Sequence, residues 1–404
     1  MHIKIFLIFI FSVSLCAVEN QATRFRGPNG QGIYANETAP VSWSNEDIVW
    51  SLDLPGNGHA SPVAWGNTVF AVSADADKYM YHVLAVDATN GALIWQKEFP
   101  FAKYKVRKES SFATSSPTVD EMFLYVLFAS QEKTTMVAMR HNGSIAWKKE
   151  FDGVVSRHGF GTSPICVDDK VVFTREQESV KNSPFKSTWF ALNKRTGEKV
   201  WEVERQTGER NAFSTPCLVT MDKKEYLVFT SEGGFTAVDP SDGKIVWEID
   251  PFTMRTISSP ILANGLIIGT CKGKLYTIKL NDLNKPDLAY ELVSKYSPYC
   301  PSPLYMDGLL YNFMDNGYIS CHKSTTGDLI WREKPAGKFM GSPIAVDGRL
   351  YAMTTNGEMV VLNKGDRYEL LAINELPEGT QSTPIVVHGF LYVQTLTKLM
   401  RIGK

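Results

Sequence analysis

The sequence predicts an all-β protein that folds as an eight-bladed β-propeller, with four antiparallel strands per blade and the last blade closed by the N-terminal strand. Three observations support this prediction. A glycine recurs four residues before a tryptophan, a Ser-Pro or Thr-Pro pair opens each of eight units, and one surplus tryptophan strand lies near the N-terminus. Repetition at about 40–45 residues without a helical period is typical of propeller blades.

The first observation is an eleven-residue stretch, AVDATNGALIW, between Ala85 and Trp95. Related stretches, one of them shortened, recur along the chain and end at Trp147, Trp201, Trp247 and Trp331. In each copy the glycine can supply the positive φ that a tight turn between two strands requires. We therefore interpret the stretch as the hairpin between the third and fourth strands of a blade.

The second observation is a proline that follows serine or threonine and precedes an apolar run. It occurs eight times, at Pro62, Pro117, Pro164, Pro216, Pro260, Pro303, Pro343 and Pro384. Proline is tolerated at the first residue of a strand. Most of these prolines are followed four residues later by a turn such as Asn-Gly or Asp-Gly, which is a hairpin signal between the first and second strands.

The third observation concerns closure of the ring. The eighth unit ends after its third strand and has no tryptophan, whereas the segment DIVWSLDL, residues 47–54, carries one without a unit of its own. We therefore expect the N-terminal strand to complete the eighth blade, which leaves no long unpaired edge. The predicted blade-docking residues are Trp50, Trp95, Trp147, Trp201, Trp247 and Trp331. The fifth and seventh units lack this tryptophan, so smaller side chains are expected there.

The repeated pattern A-x-D-x-x-T-G-K-x-x-W resembles the blade-docking motif of pyrroloquinoline-quinone (PQQ) repeat propellers. That superfamily includes the eight-bladed quinoprotein dehydrogenases and the propeller lipoprotein of the bacterial β-barrel assembly machinery. The stretch F-R-G-P-x-G-x-G, residues 25–32, is similar to the opening of secreted bacterial members. The resemblance implies one PQQ-like propeller domain over residues 18–404, and it implies the fold more strongly than any chemistry.

The first 17 residues predict a cleaved signal peptide, because a lysine precedes an apolar run that is too short to span a bilayer. Export to the periplasm or the exterior follows. Cys16 is an alternative lipidation site, but Leu15 is large for the position before a lipidated cysteine, so soluble export is favoured. No transmembrane segment is expected after cleavage, and we expect a monomer.

The formal net charge of -1 gives no broad electrostatic footprint for nucleic acid. Binding residues concentrate on loops held by a rigid scaffold. The longest connections lie over blades 1–4, which places the candidate binding site there. Its predicted residues are His59, Lys105, Arg107, Arg157, His158, Arg175, Glu176 and Arg210. Converging arginines favour a carboxylate, phosphate or sulfated ligand, although each residue alone also fits a solvated, salt-bridged surface.

No catalytic or metal-binding residue is predicted. A quinoprotein dehydrogenase would need calcium ligands and typically a vicinal cysteine pair, and the sequence has neither Cys-Cys nor a D-x-D cluster in a long loop. An acid–base pair of His59 and His158 with Glu176 or Glu209 would require these residues to converge.

The sequence therefore favours a non-catalytic binding or scaffold protein of the bacterial cell envelope, without a cofactor. Its expected partner is an envelope protein, or a glycan or another anionic ligand. The alternative is a PQQ-dependent dehydrogenase-like enzyme, or another enzyme that acts on a carbohydrate or alcohol at the propeller axis.

Overall fold

Eight sheets surround a central axis and form the blades of a β-propeller, as the sequence predicted. The computed structural model describes residues 21–178, 186–205, 210–221, 223–280 and 285–403. The predicted signal peptide and Cys16 lie outside these residues. Within them, the helical elements are two 3-10 turns, Pro28–Gly30 and Asn45–Asp47.

The strands run in chain order from the inner to the outer edge of each blade. Two strands precede the first complete blade: β1 (Ile33–Tyr34) and β2 (Ile48–Asp53). Blades 1 and 2 contain β3 (Val63–Trp65), β4 (Thr68–Asp75), β5 (Met80–Asp87), β6 (Leu93–Pro100), β7 (Thr118–Val119), β8 (Phe123–Ala129), β9 (Lys133–Arg140) and β10 (Ile145–Asp152). Blades 3 and 4 contain β11 (Ile165–Val167), β12 (Lys170–Arg175), β13 (Ser187–Asn193), β14 (Lys199–Arg205), β15 (Cys217–Met221), β16 (Lys224–Ser231), β17 (Gly234–Val238) and β18 (Ile245–Ile249).

The second half of the ring repeats this order. Blades 5 and 6 contain β19 (Ile261–Ala263), β20 (Leu266–Cys271), β21 (Lys274–Lys279), β22 (Asp287–Val293), β23 (Leu304–Met306), β24 (Leu309–Phe313), β25 (Ile319–Lys323) and β26 (Leu329–Glu333). Blades 7 and 8 contain β27 (Ile344–Val346), β28 (Arg349–Met353), β29 (Glu358–Asn363), β30 (Leu370–Glu375), β31 (Ile385–Val387), β32 (Phe390–Gln394) and β33 (Lys398–Ile402).

The eighth blade is completed by β2, which pairs antiparallel with β33 and places Trp50 opposite Arg401. This confirms the predicted closure of the ring by the N-terminal strand. All eight pairings between the third and fourth strands contain a register shift next to the tryptophan position. A β-bulge bends and twists its strand, so the bulge gives the fourth strand the same local bend next to the docking position in every blade.

The tryptophans lie between consecutive blades. Trp50 Nε1 donates to the Ala88 carbonyl at 3.0 Å, and a Cβ atom on Gly91 would lie only 2.7 Å from the Trp50 ring. Gly91 also has φ +74°. The repeated glycine therefore serves the turn of its own blade and leaves space for the indole of the preceding blade.

Two blades replace the tryptophan with a smaller residue, as expected. In blade 5, Tyr290 Oη donates to the Ser324 carbonyl at 2.7 Å, and the ring covers Gly327 of blade 6. In blade 7, Ala372 pairs with Val361 next to the register shift, which is the tryptophan position of the other blades.

The chain between the blades reaches two opposite faces of the ring. The turn face carries the short hairpins that join strands 1 to 2 and 3 to 4 of each blade. The crossing face carries the hairpins that join strands 2 to 3 and the crossings, which are the connections from one blade to the first strand of the next. The longest crossings follow β6 and β10, and the crossings after β14 and β18 are equal in length.

An N-terminal plug, residues 21–37, crosses the axis on the turn-face side. The plug bonds the inner edges of seven blades. Blades 1, 2 and 7 donate backbone N–H groups to the Ala22, Thr23 and Gly32 carbonyls. The plug side chains contact the remaining four: Arg24 bonds the Pro216 carbonyl at 3.0 Å, Arg26 bonds the Pro303 carbonyl at 2.8 Å, and Gln31 and Glu37 accept backbone N–H groups of Leu262, His388 and Gly389.

Candidate functional site

A cavity lined by residues of all eight blades lies on the axis and has a volume of about 320 Å³. Phe25 of the N-terminal plug contributes to its lining at the turn-face side. Crossing residues, among them Arg107, His158 and Arg255, line the other side. The plug and the crossings thus enclose a space at the centre of the ring, within the size range of small-molecule pockets.

A closed ring of hydroxyl groups surrounds this cavity. Its eight members are the residues that precede the repeated prolines: Ser61, Ser116, Ser163, Thr215, Ser259, Ser302, Ser342 and Thr383. Each backbone N–H donates to the side-chain oxygen of the next member, at 2.9–3.2 Å. The sequence showed the Ser-Pro and Thr-Pro pairs, but their joining into a ring was not predicted.

The hydroxyl ring has a surplus of donors. Each side-chain oxygen accepts one backbone N–H group, and a hydroxyl group still carries its own hydrogen. Within the described part of the chain, no ring hydroxyl donates that hydrogen to a protein acceptor. The cavity lining therefore offers free O–H donors.

Arg255, in the crossing between blades 4 and 5, is the most buried cation of the cavity lining, with 6% of its surface exposed. Its Nε donates to Tyr299 Oη at 3.1 Å, and its Nη2 lies 3.4 Å from His158 Nε2. Its guanidinium lies over the Phe213 ring, 5.6 Å from the centroid. No described carboxylate lies within 4 Å of it.

The two cavity histidines are held neutral by their surroundings. Burial lowers the pKa of His59 to about 4. Burial, together with the positive charges of Arg255 and Arg107, also lowers the pKa of His158. Because an arginine can only donate, His158 Nε2 accepts from Arg255, and Nδ1 carries the hydrogen that faces Ser110 Oγ at 3.5 Å.

Three of the eight predicted binding residues line the cavity: His59, Arg107 and His158. Lys105 is exposed on the same crossing as Arg107. Arg157 is also exposed, at 76% of its side chain, and its Nε lies 3.9 Å from Glu178. Arg210 is exposed, and its backbone N–H donates to Glu232 at 3.1 Å.

Arg175 and Glu176 are buried inside blade 3 instead of on the surface. Arg175 donates to the Asp152 and Lys186 carbonyls and to Thr188. Glu176 Oε1 accepts from Trp189 Nε1 at 2.7 Å, and burial raises the pKa of the Glu176 carboxyl. These contacts connect strands, and neither residue belongs to the cavity lining. The acid–base pairing considered for Glu176 therefore has no support from its position, and Glu209 lies outside the described residues.

Arg255 and Tyr299 were missed because sequence reasoning placed the site on the longest crossings. Both residues lie on crossings that the sequence did not mark as long, before β19 and β23, although the crossing before β19 equals the one after β14 in length. One weak signal was present: Arg255 lies five residues before the repeated Pro260, and Arg210 lies six residues before the repeated Pro216.

A calcium-assisted quinone cofactor would require a set of oxygen ligands for the metal ion. Calcium needs six to eight oxygen ligands, mostly carboxylates and carbonyls. Across the described ranges, no three residues among His, Cys, Asp and Glu are grouped so that they could hold a metal ion. The carboxylates of the cavity lining are Glu109 and Asp315, beside two arginines. Nor does any helix in the described part of the chain have the length and apolarity needed to span a bilayer.

Comparison with solved structures shows the same architecture. BamB from Moraxella catarrhalis superimposes with a TM-score of 0.63 at 15% identity, covering 88% of this chain and 96% of that chain. Quinohemoprotein alcohol dehydrogenase from Comamonas testosteroni superimposes with a TM-score of 0.70 at 12% identity, covering 95% of this chain and 80% of that chain. These identities support the fold alone.

Comparison with known sequences gives two relatives, both called outer membrane protein assembly factor BamB. The Yersinia pestis protein is 23% identical over 364 residues, which are 85% of this chain and 75% of that protein. The Alteromonas naphthalenivorans protein is 25% identical over 237 residues, which are 52% of this chain and 53% of that protein. A family model described as outer membrane protein assembly factor BamB matches residues 39–119, 80–268 and 298–400. The chain therefore belongs to this family of PQQ-like repeat propellers.

Proposed function

We propose that this protein is a non-catalytic binding or scaffold protein of the bacterial cell envelope, and that it presents the crossing face of blades 1–4 to a partner protein. The relatives' names, outer membrane protein assembly factor, support a role in outer membrane protein assembly. A periplasmic location, reached through the predicted signal peptide, fits this role.

The observation that carries the proposal is a basic surface on three consecutive crossings. Lys105, Arg107 and Lys108 are exposed on the crossing after β6, Arg157 on the crossing after β10, and Arg210 on the crossing after β14. Of these five cations, only Arg157 has a carboxylate within 4 Å among the described residues. Unpaired surface charges of one sign steer and orient a partner of the opposite charge. We therefore expect the partner surface to be acidic.

Charge reversal tests this surface. A Lys105→Glu, Arg157→Glu, Arg210→Glu variant is expected to lose the outer-membrane proteins that co-purify with the wild-type protein from solubilised envelopes. The matched control reverses three exposed cations near turn-face hairpins, Arg195, Lys244 and Lys323. The control is expected to keep its partners. Equal retention or equal loss in the two variants would contradict the proposed binding face.

A glycan or another anionic ligand is the other occupant that this basic surface suits. Such a ligand would raise the melting temperature by mass action, and an Arg157→Ala, Arg210→Ala variant would lose that increase. A protein partner instead predicts co-purification without stabilisation by small sugars.

Quinone-dependent oxidation is the alternative function, and we propose that the protein does not perform it. Its support is the structural likeness to an alcohol dehydrogenase, which concerns the fold. Addition of PQQ with calcium is expected to leave the melting temperature unchanged. A calcium-dependent increase, with quinone absorbance that stays with the protein, would support the enzyme instead.

A further inference from the structure

The axial cavity contains a buried positive charge without a negative partner. Two other partly or fully buried arginines have acidic neighbours: Arg175 lies 3.4 Å from Asp152, and Arg205 lies 2.6 Å from Glu248. The buried Arg24 and Arg26 instead donate to backbone carbonyls. Arg255 is equally enclosed, yet its side-chain contacts in the described structure are a tyrosine hydroxyl, a neutral histidine and an aromatic face. A buried charge is costly unless it is paired and hydrogen-bonded.

The hydroxyl ring adds a second, independent feature. All eight ring members line the same cavity as Arg255, and their hydroxyl hydrogens have no protein acceptor in the described structure. Anionic oxygen atoms accept several hydrogen bonds at once and form the stronger, charge-assisted kind. Donors on all sides of one cavity therefore favour an oxyanion over a cation or an apolar ligand.

We propose that the axial cavity binds a small polyhydroxy anion, whose carboxylate or phosphate group pairs with Arg255 and accepts hydrogen bonds from the hydroxyl ring. Arg107 lines the same cavity and adds a second positive charge. The volume of about 320 Å³ lies at the small end of ligand pockets. A ligand of the size of a six-carbon sugar acid or sugar phosphate fits this description.

Two further groups favour hydroxyl substituents on the ligand. Asp315 and Glu109 line the cavity as acceptors, and Asp315 Oδ1 also fixes the Tyr299 crossing by accepting its backbone N–H at 3.3 Å. Carboxylates accept from ligand hydroxyls and repel a ligand that carries several negative charges nearby. One anionic group with neutral hydroxyls meets both requirements.

This site goes beyond the proposed scaffold function and does not depend on it, because the cavity and the exposed basic surface involve different residues apart from Arg107. The test is isothermal titration calorimetry with gluconate, glucose 6-phosphate and uncharged glucose. We expect at least one anionic probe to bind the wild-type protein, and glucose to bind at least about tenfold more weakly, since a charge-assisted hydrogen bond contributes about that factor.

Variants identify the groups responsible. Arg255→Gln is expected to weaken binding of the anionic probe about 10- to 100-fold. Tyr299→Phe removes the hydroxyl that holds Arg255 and is expected to weaken binding several-fold (~3–10-fold) with little change in shape. Arg195→Gln is the control, because Arg195 is exposed near a turn-face hairpin and outside the cavity lining, and the affinity of this variant should stay within about twofold of wild type.

The two anionic probes distinguish a carboxylate ligand from a phosphate ligand. The proposal is overturned if neither anion binds, if glucose binds as tightly as the anions, or if Tyr299→Phe and Arg255→Gln both keep the wild-type affinity. If Arg255→Gln does not fold, the Tyr299→Phe result and the comparison of charged with uncharged probes decide the question.

Discussion

Thr383 donates its backbone N–H to the Oγ of Ser61 at 3.0 Å, across a separation of 322 residues. This bond closes the hydroxyl ring, just as the Trp50 strand closes the outer edge of the same blade. The propeller is therefore closed at two places: near the axis by the Thr383–Ser61 hydrogen bond, and at the outer edge of blade 8 by the pairing of β2 with β33. Both depend on residues near the two ends of the chain.

Replacement of Ser61 by alanine should open the hydroxyl ring at one position. The buried Thr383 N–H loses its acceptor, which costs about 1–3 kcal/mol of unfolding free energy. Ser61→Thr keeps the hydroxyl and should retain most of the stability, since threonine occupies two other ring positions. Urea denaturation measures both changes. Equal destabilisation by alanine and threonine would mean that the hydrogen bond contributes nothing.

Gly197 tests the role of the repeated glycine. Gly197→Ala forces φ +69° on an alanine and brings its Cβ within 2.7 Å of the Trp147 ring. We expect a loss of about 2–4 kcal/mol from backbone strain and overpacking together. Gly265→Ala is a matched control, because Gly265 has φ +77° with nothing within 4 Å. Its cost should be about 1 kcal/mol, from the backbone alone. Similar unfolding free energies for the two variants would exclude the docking role.

Trp50→Ala should weaken the closure of blade 8. The variant loses a buried indole and its hydrogen bond to Ala88, and large aromatic truncations cost about 3–5 kcal/mol. Val49→Ala is the control, because Val49 is half exposed on the same strand and should change stability by less than about 1 kcal/mol. Thermal unfolding distinguishes them, and a Trp50→Ala protein as stable as the control would show that β2 is dispensable.

His59 predicts a loss of stability in mild acid. Its folded pKa of about 4 lies below the value of about 6.5 in an unfolded chain, so the unfolded state binds the proton first as the pH falls. The contribution of His59 should lower the free energy of unfolding by up to about 3 kcal/mol between pH 6.5 and pH 4. Below pH 4 this contribution should no longer change with pH. His59→Asn should flatten this slope, whereas His388→Asn, on an exposed turn, should keep it. A slope unchanged in His59→Asn would assign the effect to other groups.

The proposed anion site predicts its own pH dependence. Burial and the positive charges of Arg255, Arg107 and Arg157 lower the pKa of His158 in the free protein. The negative charge of Glu109 opposes this effect. A bound anion offsets these positive charges and raises the His158 pKa, so binding takes up a proton. Affinity for the anionic probe should increase between pH 7 and pH 5. His158→Gln should remove the increase, and calorimetry at the two pH values measures it.

The sequence was sufficient for the architecture because the relevant contacts join neighbouring repeats. The glycine and tryptophan of each copy meet in consecutive blades, as Gly91 and Trp50 do, so the repeat itself records the contact. The strand around Trp50 had no unit of its own in the sequence, and the eighth unit lacked a fourth strand, so the two could be matched. Periodicity carries such information without knowledge of the three-dimensional structure.

The cavity could be predicted only in part, because its lining comes from all sides of the ring. Arg107 and His158 were found through their long crossings and His59 through its place beside them around the ring, whereas Arg255 lies on a crossing that the sequence did not mark as long. Arg175 and Glu176 look like surface loop residues in the sequence. In the structure Glu176 bonds Trp189, and Arg175 bonds the end of β10 and the start of β13, and such contacts leave no local pattern.

The placement of the N-terminal plug and of β2 sets an order for folding. Both are synthesised first, yet their bonding partners include residues of blade 8, which are synthesised last. The early segment can therefore contact blades 1 and 2 while the ribosome is still adding the later blades, but its contacts to blade 8 must wait. The pairing of β2 with β33, which completes blade 8, can therefore form only after β33 has been synthesised.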